Sequence, residues 1–589
     1  MARPSEVGHR WRWAFSDWPM SVGLTQPASR QIQDSGLWRW VLAAVDGIGP
    51  EPSWCRPGGG DRSKAWRRRG QGRALGGGGR VVAKYLLGID EGTTGCRADL
   101  FDFEGERVSG AYLEYPSYFP HPGWVEQSAN DITRAMYATV RSAISRGNVN
   151  PHEIVALGIA TQAYVLGPLD QKGSLLRPFI GWQDLRGSEY IESIQRNRIG
   201  KAEYYRLSGA PLNAMLGITK LAWFRDHEAE LYKRTAVFSD HQAFFLSAFG
   251  VTGGYFTDLS SASRSGMLDV DKHQWSERIF AALDMDVARF PTVVLDTPVV
   301  GEVSRRVAEA TGLAEGTRVV VAGHDQNCSS FGSGVVDAGV AAVVLGTGGS
   351  CYVAVGTPVR DPRGVLMVKP NVGVRNWTIG GAATAAASSY RWFRDTFGSL
   401  EVAMGGVLQR DPYELIGMEA ETAPPGANGL TFLPYLQGAT AGPRANAQAR
   451  GVLAGLTLGT SRADVARGIM EGITLEIRDI VDAVGSARVE IETIRATGGA
   501  TKSRLWNQMQ ADIYKRPVQV LKERDTGALG AALYAGVGVG VYGSYPEAVA
   551  TAVRVAEEYE PNAKVFDAYD DAYGRFLRCY EGLFGSGVF

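Results

Sequence analysis

The chain has 589 residues, 45% of them hydrophobic and 21% charged, with five cysteines and a formal net charge of −1. That composition excludes a low-complexity, collagen-like or disulfide-stapled protein, and the length suits two to four domains. No apolar stretch reaches the roughly eighteen residues a membrane span requires, and Cys55, Cys96, Cys328, Cys351 and Cys579 are too scattered for a CxxC metal site. A reducing cytoplasm and no membrane partner are therefore expected.

Residues 1–83 carry 13 Lys+Arg against 6 Asp+Glu, which leaves 48 against 56 for residues 84–589. They also hold seven of the fourteen tryptophans, show no sustained period, and end in Arg67-Arg68-Arg69 and the glycines Gly76 to Gly79. A basic arm with stacking tryptophans would suit nucleic acid. The preferred reading is an extension outside the folded protein, with the product proper starting near Val81 or Val82, and no nucleic-acid partner.

At Lys84 the pattern changes. Tyr85 to Ile89 predicts a strand, Asp90-Glu91-Gly92-Thr93-Thr94-Gly95 a tight turn, Cys96 to Phe103 a returning strand, and Asp102 to Gly105 another turn. In a Gly/Thr hairpin the N–H groups and hydroxyls can hold phosphate oxygens, as in the actin-like ATPases, while Asp90 offers a hard oxygen to Mg²⁺ or its waters. The same residues also suit a plain β-hairpin. Strand-like and helix-like runs then alternate, among them Ile154 to Ala160, Ile491 to Thr497 and Arg462 to Val484, the pattern of an α/β fold. Arg318 to Ala322 predicts a buried strand opening at Gly323-His324-Asp325-Gln326, and Val340 to Leu345 a second one emptying into Gly346-Thr347-Gly348-Gly349-Ser350. A carboxylate at a strand end and a phosphate cradle about twenty residues later are what phosphoryl transfer needs. Asp325 is the candidate base. As a residue pattern alone it serves equally as a helix cap.

Several motifs, in order from about residue 84 to about residue 570, resemble the FGGY family of carbohydrate kinases, which includes xylulose, ribulose, fuculose, gluconate and glycerol kinases. Asp90-Glu91-Gly92-Thr93-Thr94 resembles its opening phosphate motif, Pro122 to Gln127 the stretch after it, and Trp182-Gln183-Asp184-Leu185-Arg186 its Trp-x-Asp-x-Arg element. Lys220 to His227 is similar to the first signature, Gly323 to Gln326 to the segment with the catalytic aspartate, and Gly451 to Gly472 to the second signature. Thr497 to Ser503 resembles the adenosine loop and Gly527 to Ala532 the segment beyond it.

The resemblance implies two actin-like (ribonuclease H-like) α/β domains, residues 84–337 and 338–589, with an interdomain cleft. It implies ATP and Mg²⁺ as cofactors, Asp325 as base, and Asp90 and Asp325 near the metal. Thr93, Thr94, Arg97, Gly346, Thr347, Gly498, Gly499, Ala500 and Asn507 are then expected at ATP. Gln162, Tyr164, Trp182, Asp184 and Gln326 are expected at a small-molecule sugar or polyol, most plausibly a ketopentose of xylulose type. Homodimers are frequent among such relatives. The chain also departs from the family: Gln162-Ala163-Tyr164-Val165 replaces the Gln-Met-His-Gly of xylulose kinases and the Arg-Glu of glycerol kinases. His324 stands where xylulose kinases commonly have glycine, and Gly217 and Gly468 differ within the two signatures. A different acceptor within the family, such as glycerol, erythritol or the autoinducer-2 precursor, remains an alternative, and an actin-like ATPase or a sugar-binding regulator is the alternative outside it.

Overall fold

A computed structural model describes residues 84–585, apart from 372, 374, 375, 440 and 441; the N-terminal extension expected at 1–83 lies outside them. Numbered here are the strands of the two large sheets and the helices that position the site. The first sheet takes β1 (Tyr85–Glu91), β2 (Gly95–Asp102), β3 (Arg107–Glu114), β4 (Ile154–Thr161), β5 (Val299–Glu302) and β6 (Arg318–His324). Its order is β5-β6-β4-β1-β2-β3: a three-stranded meander joined, through the parallel pair β1 and β4, to parallel β6. The bordering helices are α1 (Ala129–Gly147), α2 (Gly217–His227), α3 (His241–Ala248), the short α4 (Leu259–Arg264) and α5 (Asp325–Gly332).

The second sheet repeats the plan. It contains β7 (Val340–Leu345), β8 (Gly349–Val355), β9 (Met367–Pro370), β10 (Trp377–Ala383), β11 (Thr493–Thr497), β12 (Val518–Leu521) and β13 (Val555–Tyr559), in the order β9-β10-β8-β7-β11-β12-β13. Again a hairpin, β7–β8, opens the sheet and its first strand pairs in parallel with a later one, β11. The helices α6 (Ala387–Phe397), α7 (Arg462–Ser486), α8 (Arg504–Tyr514) and α9 (Thr526–Val539) complete the part that bears on the site. The 25-residue α7 starts at a capping box, in which the Ser461 side chain accepts from the Asp464 N–H and Asp464 bonds back to the Ser461 N–H. Two mixed sheets of the same winding with helices on their faces are the actin-like architecture expected.

Strand alternation gives the first sheet two buried faces. Leu87, Ile89, Leu157, Ile159, Val319 and Val321 face α1 and α3, while Leu86, Ala156, Ala160, Val320 and Ala322 face α9. Helix α9 belongs by sequence to the second domain yet packs on the first sheet and on α5, so a cut at 337/338 does not isolate two cores. The contact is close because both sides are stripped to backbone. A Cβ on Gly88 would lie 1.8 Å from the Ala528 carbonyl oxygen, one on Gly158 2.1 Å from that of Ala531, and one on Gly530 1.9 Å from that of Cys328. Among the described residues Cys96, Cys328, Cys351 and Cys579 are free thiols, and no helix is long and apolar enough to cross a membrane.

Candidate active site

Strand β6 ends at His324 and α5 starts at Asp325, which puts a carboxylate at the end of a first-sheet strand, within electrostatic reach of Lys369 on the second sheet. Its Oδ1 accepts from the Gln326 N–H at 2.6 Å and lies 3.1 Å from His324 Nε2, while 29% of the side chain stays exposed. Burial pushes the Asp325 carboxyl up to about 7; the Gln326 N–H opposes this, the Glu91 charge adds to it, and Lys369 and Arg264 oppose it again. Burial, with Arg264 and Lys369 nearby, holds the His324 imidazole well below its usual value and therefore neutral. The neutral ring lies beside the carboxylate without adding a charge to offset its burial.

Asp90, at the end of β1, lies under the first turn of α9, where a Cβ on Gly527 would come within 2.2 Å of its Oδ2. Its carboxyl is raised well above the ordinary range, by burial first and then by the charges of Asp325 and Glu91. Asp90 and Asp325, the charge of the second raising the pKa of the first, fit a hydrated cation carried in with a phosphate chain. Among the described residues no three His, Cys, Asp or Glu side chains converge to hold a metal without such help.

The turns take shape as expected from their composition. Gly92 N–H closes the first on the Gly95 carbonyl at 3.0 Å, with Thr93 half-buried and Thr94 exposed. The second is docked on the start of α6, whose Ala387 N–H donates to the Gly346 carbonyl at 2.8 Å; Thr347 is exposed. Gly498 adopts φ +90°, and a Cβ there would lie 2.5 Å from the Leu345 carbonyl oxygen. The adenosine loop thus abuts the second phosphate turn at the ends of the parallel strands β7 and β11, and only glycine fits that contact. Gly499 is exposed with open space around it.

Three residues expected at ATP sit differently. Ala500 is 5% exposed and packs into the second core, so only its backbone can reach a ligand. Asn507 is buried behind the loop, its Nδ2 donating to the Thr501 carbonyl at 3.0 Å, which makes it a support. Arg97 pairs with Asp525, just ahead of α9, at 3.0 Å, within a cluster that includes Asp99 and Arg107.

On the acceptor side Trp182 is half-buried and its Nε1 donates to Thr93 Oγ1 at 2.8 Å, so the indole braces the first phosphate turn. Asp184 is the plainest correction. It is fully buried, and its oxygens accept from Val125 N–H, Arg186 N–H, Arg186 Nε and Arg186 Nη2. Its lone pairs are spent inside the protein and none is left for a sugar hydroxyl. Gln162 is 2% exposed with its Nε2 on Glu91 Oε1 at 2.6 Å, while its Oε1 has no partner. Gln326 is half-buried beside the base.

Tyr164 has a left-handed backbone, φ +61°, and Lys220 Nζ donates to its carbonyl at 2.5 Å. Burial lowers the Lys220 ammonium to about 7, with the Asp184 charge opposing and that of Arg186 adding to the shift. The Tyr164 ring lies edge-on to His324, centroids 6.2 Å apart, and its hydroxyl reaches Met367 Sδ of β9 at 3.7 Å. The two domains therefore meet around Tyr164. Sequence reasoning missed Glu91, buried and bonded to Tyr115, Gln162 and His241, although it adjoins Asp90 in the turn motif. It also missed Arg264 and Lys369, isolated cations in apolar or small-residue runs, whose only signal was that isolation.

Comparison with known proteins agrees with this geometry. The profile of the FGGY family of carbohydrate kinases matches in two parts, its N-terminal domain over residues 85–332 and its C-terminal domain over residues 341–539. The chain is 29% identical over 508 residues to the xylulose kinase of Bacillus subtilis (strain 168), covering 84% of this chain and 97% of that protein. It is 30% identical over 497 residues to the glycerol kinase of Janthinobacterium sp. (strain Marseille), covering 82% and 95% respectively. Its fold superposes on the ligand-bound xylulose kinase from Lactobacillus acidophilus with a TM-score of 0.77 at 24% identity, over 85% of this chain and 98% of that one. Two matching domain profiles in the family's order, over sheets wound in the same way, identify the chain as a member of the FGGY family of carbohydrate kinases and an ATP-dependent sugar kinase.

Proposed function

We propose that the protein transfers the terminal phosphoryl group of ATP to a hydroxyl of a sugar-sized polyhydroxy acceptor, ketopentoses of xylulose type and their relatives being the class to search, with Asp325 as general base. The observation that carries this reading is the Asp325 carboxylate itself, pushed by burial up to about 7, beside the neutral His324 and with 29% of its side chain still exposed. A base with that affinity takes up a hydroxyl proton near neutral pH. As the acceptor oxygen bonds to the terminal phosphorus, its proton passes to Asp325 and the bond to the bridging oxygen breaks, releasing ADP.

Mg²⁺–ATP, when bound, supplies the phosphoryl group and offsets its charge. Thr93, Thr94, Gly346 and Thr347 would offer hydroxyls and N–H groups to the phosphates, Asp90 would hold the cation through its waters, and Gly498 and Gly499 would let the nucleoside lie against backbone. Trp182 joins the two functions by bracing Thr93 from the acceptor side. A coupled ADP-release assay over ketoses, polyols and aldonic acids tests the reading. ADP release that appears only with one chemical group of acceptors supports it; release indifferent to every acceptor would show an ATPase of another kind.

A further inference from the structure

Two buried cations near Asp325 carry N–H groups that no protein acceptor satisfies. Arg264 ends α4 in the first domain and is 2% exposed; Lys369 lies on β9 of the second and is 1% exposed. Arg264 Nη1 reaches Met367 Sδ at 3.7 Å, while its Nε and Nη2 have no hydrogen-bond partner. Lys369 Nζ has none either and rests 3.3 Å from the centroid of the Tyr352 ring. Both act electrostatically on Asp325, which places them in the neighbourhood of the base. They also act on each other: burial and then Arg264 hold the Lys369 ammonium well below its usual value.

Burying a charge costs several kcal/mol unless it is paired, and two like charges facing each other raise that cost. Such an arrangement persists where a ligand completes it. The surrounding groups suit a sugar chain: the Tyr164 ring 5.3 Å from the Arg264 guanidinium carbon, and the Tyr164 and Tyr352 hydroxyls 3.7 and 3.9 Å from Met367 Sδ. A neutral hydroxyl would satisfy one N–H, leave the Arg264 charge without a counterion and do nothing to restore the proton of Lys369. A carboxylate can accept from the Arg264 edge and from Lys369 together.

We propose that Arg264 and Lys369 form an anion subsite of the acceptor pocket, and that the acceptor is a polyhydroxy carboxylate, phosphorylated on a hydroxyl at a distance from its acid end. The inference rests on the kinase reading above and narrows its acceptor class. Because the two cations come from different domains, the carboxylate also draws the domains together over the base.

The test uses matched pairs that differ only at the acid carbon, D-gluconate against D-glucitol and D-xylonate against xylitol, in the ADP-release assay and in thermal melting without ATP. For at least one pair the acid is expected to exceed its alditol in kcat/KM by about tenfold or more, one pairing being worth at least about 1.4 kcal/mol, and to raise the melting temperature where the alditol does not. Lys369→Met and Arg264→Gln are each expected to erase the acid's advantage chiefly through KM. Lys369→Met is also expected to melt higher than wild type without ligand, because it removes a buried amine with no hydrogen-bond partner. Turnover of neutral acceptors alone would overturn the subsite and leave the kinase reading standing. An acid-specific melting shift, lost in Lys369→Met but without turnover of any acceptor, would support the subsite and overturn the kinase reading. Acids that neither bind nor react, or an acid preference intact in both variants, would overturn the subsite.

Discussion

At the scale of single residues the site works by withheld compensation. Asp325 accepts one backbone N–H, too little to offset burial, and its carboxyl is therefore pushed up to about 7. A base is active when deprotonated, so a raised pKa removes activity as pH falls through it and leaves activity intact above it. The acid limb of kcat/KM is expected near pH 7, falling about tenfold per unit below, and a limb near 4 would show an unburied carboxylate. The strand-end position of Asp325 and the threonine turns were legible in the sequence because glycine and threonine between β-branched runs leave few structural choices. Asp184 misled because a motif gives residue types and spacing but not orientation: its lone pairs are consumed by Arg186, two residues away, and by the distant Val125. Arg264 and Lys369 went unread because their significance lies in what is missing around them, which only a folded environment defines.

At the scale of elements the controlling contact is α9 against β1, β4 and α5. Its residues Ala528, Leu529, Ala531, Ala532 and Leu533 bury apolar surface on the first sheet, while Gly88, Gly158 and Gly530 let backbones approach within side-chain distance. The turns at Gly92 and Gly527 depend on this contact to bring Asp90 beneath α9. Gly530→Ala puts a methyl group 1.9 Å from the Cys328 carbonyl oxygen, backbone that cannot swing aside. A loss of about 1–3 kcal/mol is expected in denaturant unfolding, with activity reduced because α5, and with it Asp325, shifts. An unchanged midpoint would mean that α9 has room the structure does not show. Strands and helices could be expected from period and glycine punctuation: Val340–Leu345 forms as predicted and α7 runs two residues past its expected end. That α9 would cross back to the first sheet could not be, since nothing local distinguishes an alanine-rich helix on its own sheet from one on its neighbour's.

At the scale of the molecule two mixed sheets of the same winding each carry one of the Gly/Thr turns, after β1 and after β7. The domains also meet on the acceptor side, where Val368 N–H donates to the Gly209 carbonyl at 2.7 Å and Trp377 Nε1 to that of Val270 at 2.9 Å. An acceptor bound between them favours closure and keeps water from ATP. ATP hydrolysis without acceptor is therefore expected to run at least about tenfold below the kinase rate, and equal rates would refute a closure-dependent site. The most direct test of the whole account is Asp325→Asn, which keeps the shape of the side chain and removes the proton acceptor. The account predicts that turnover falls by about 10²–10⁴-fold while ATP affinity stays within about threefold of wild type. Turnover near the wild-type rate would contradict it.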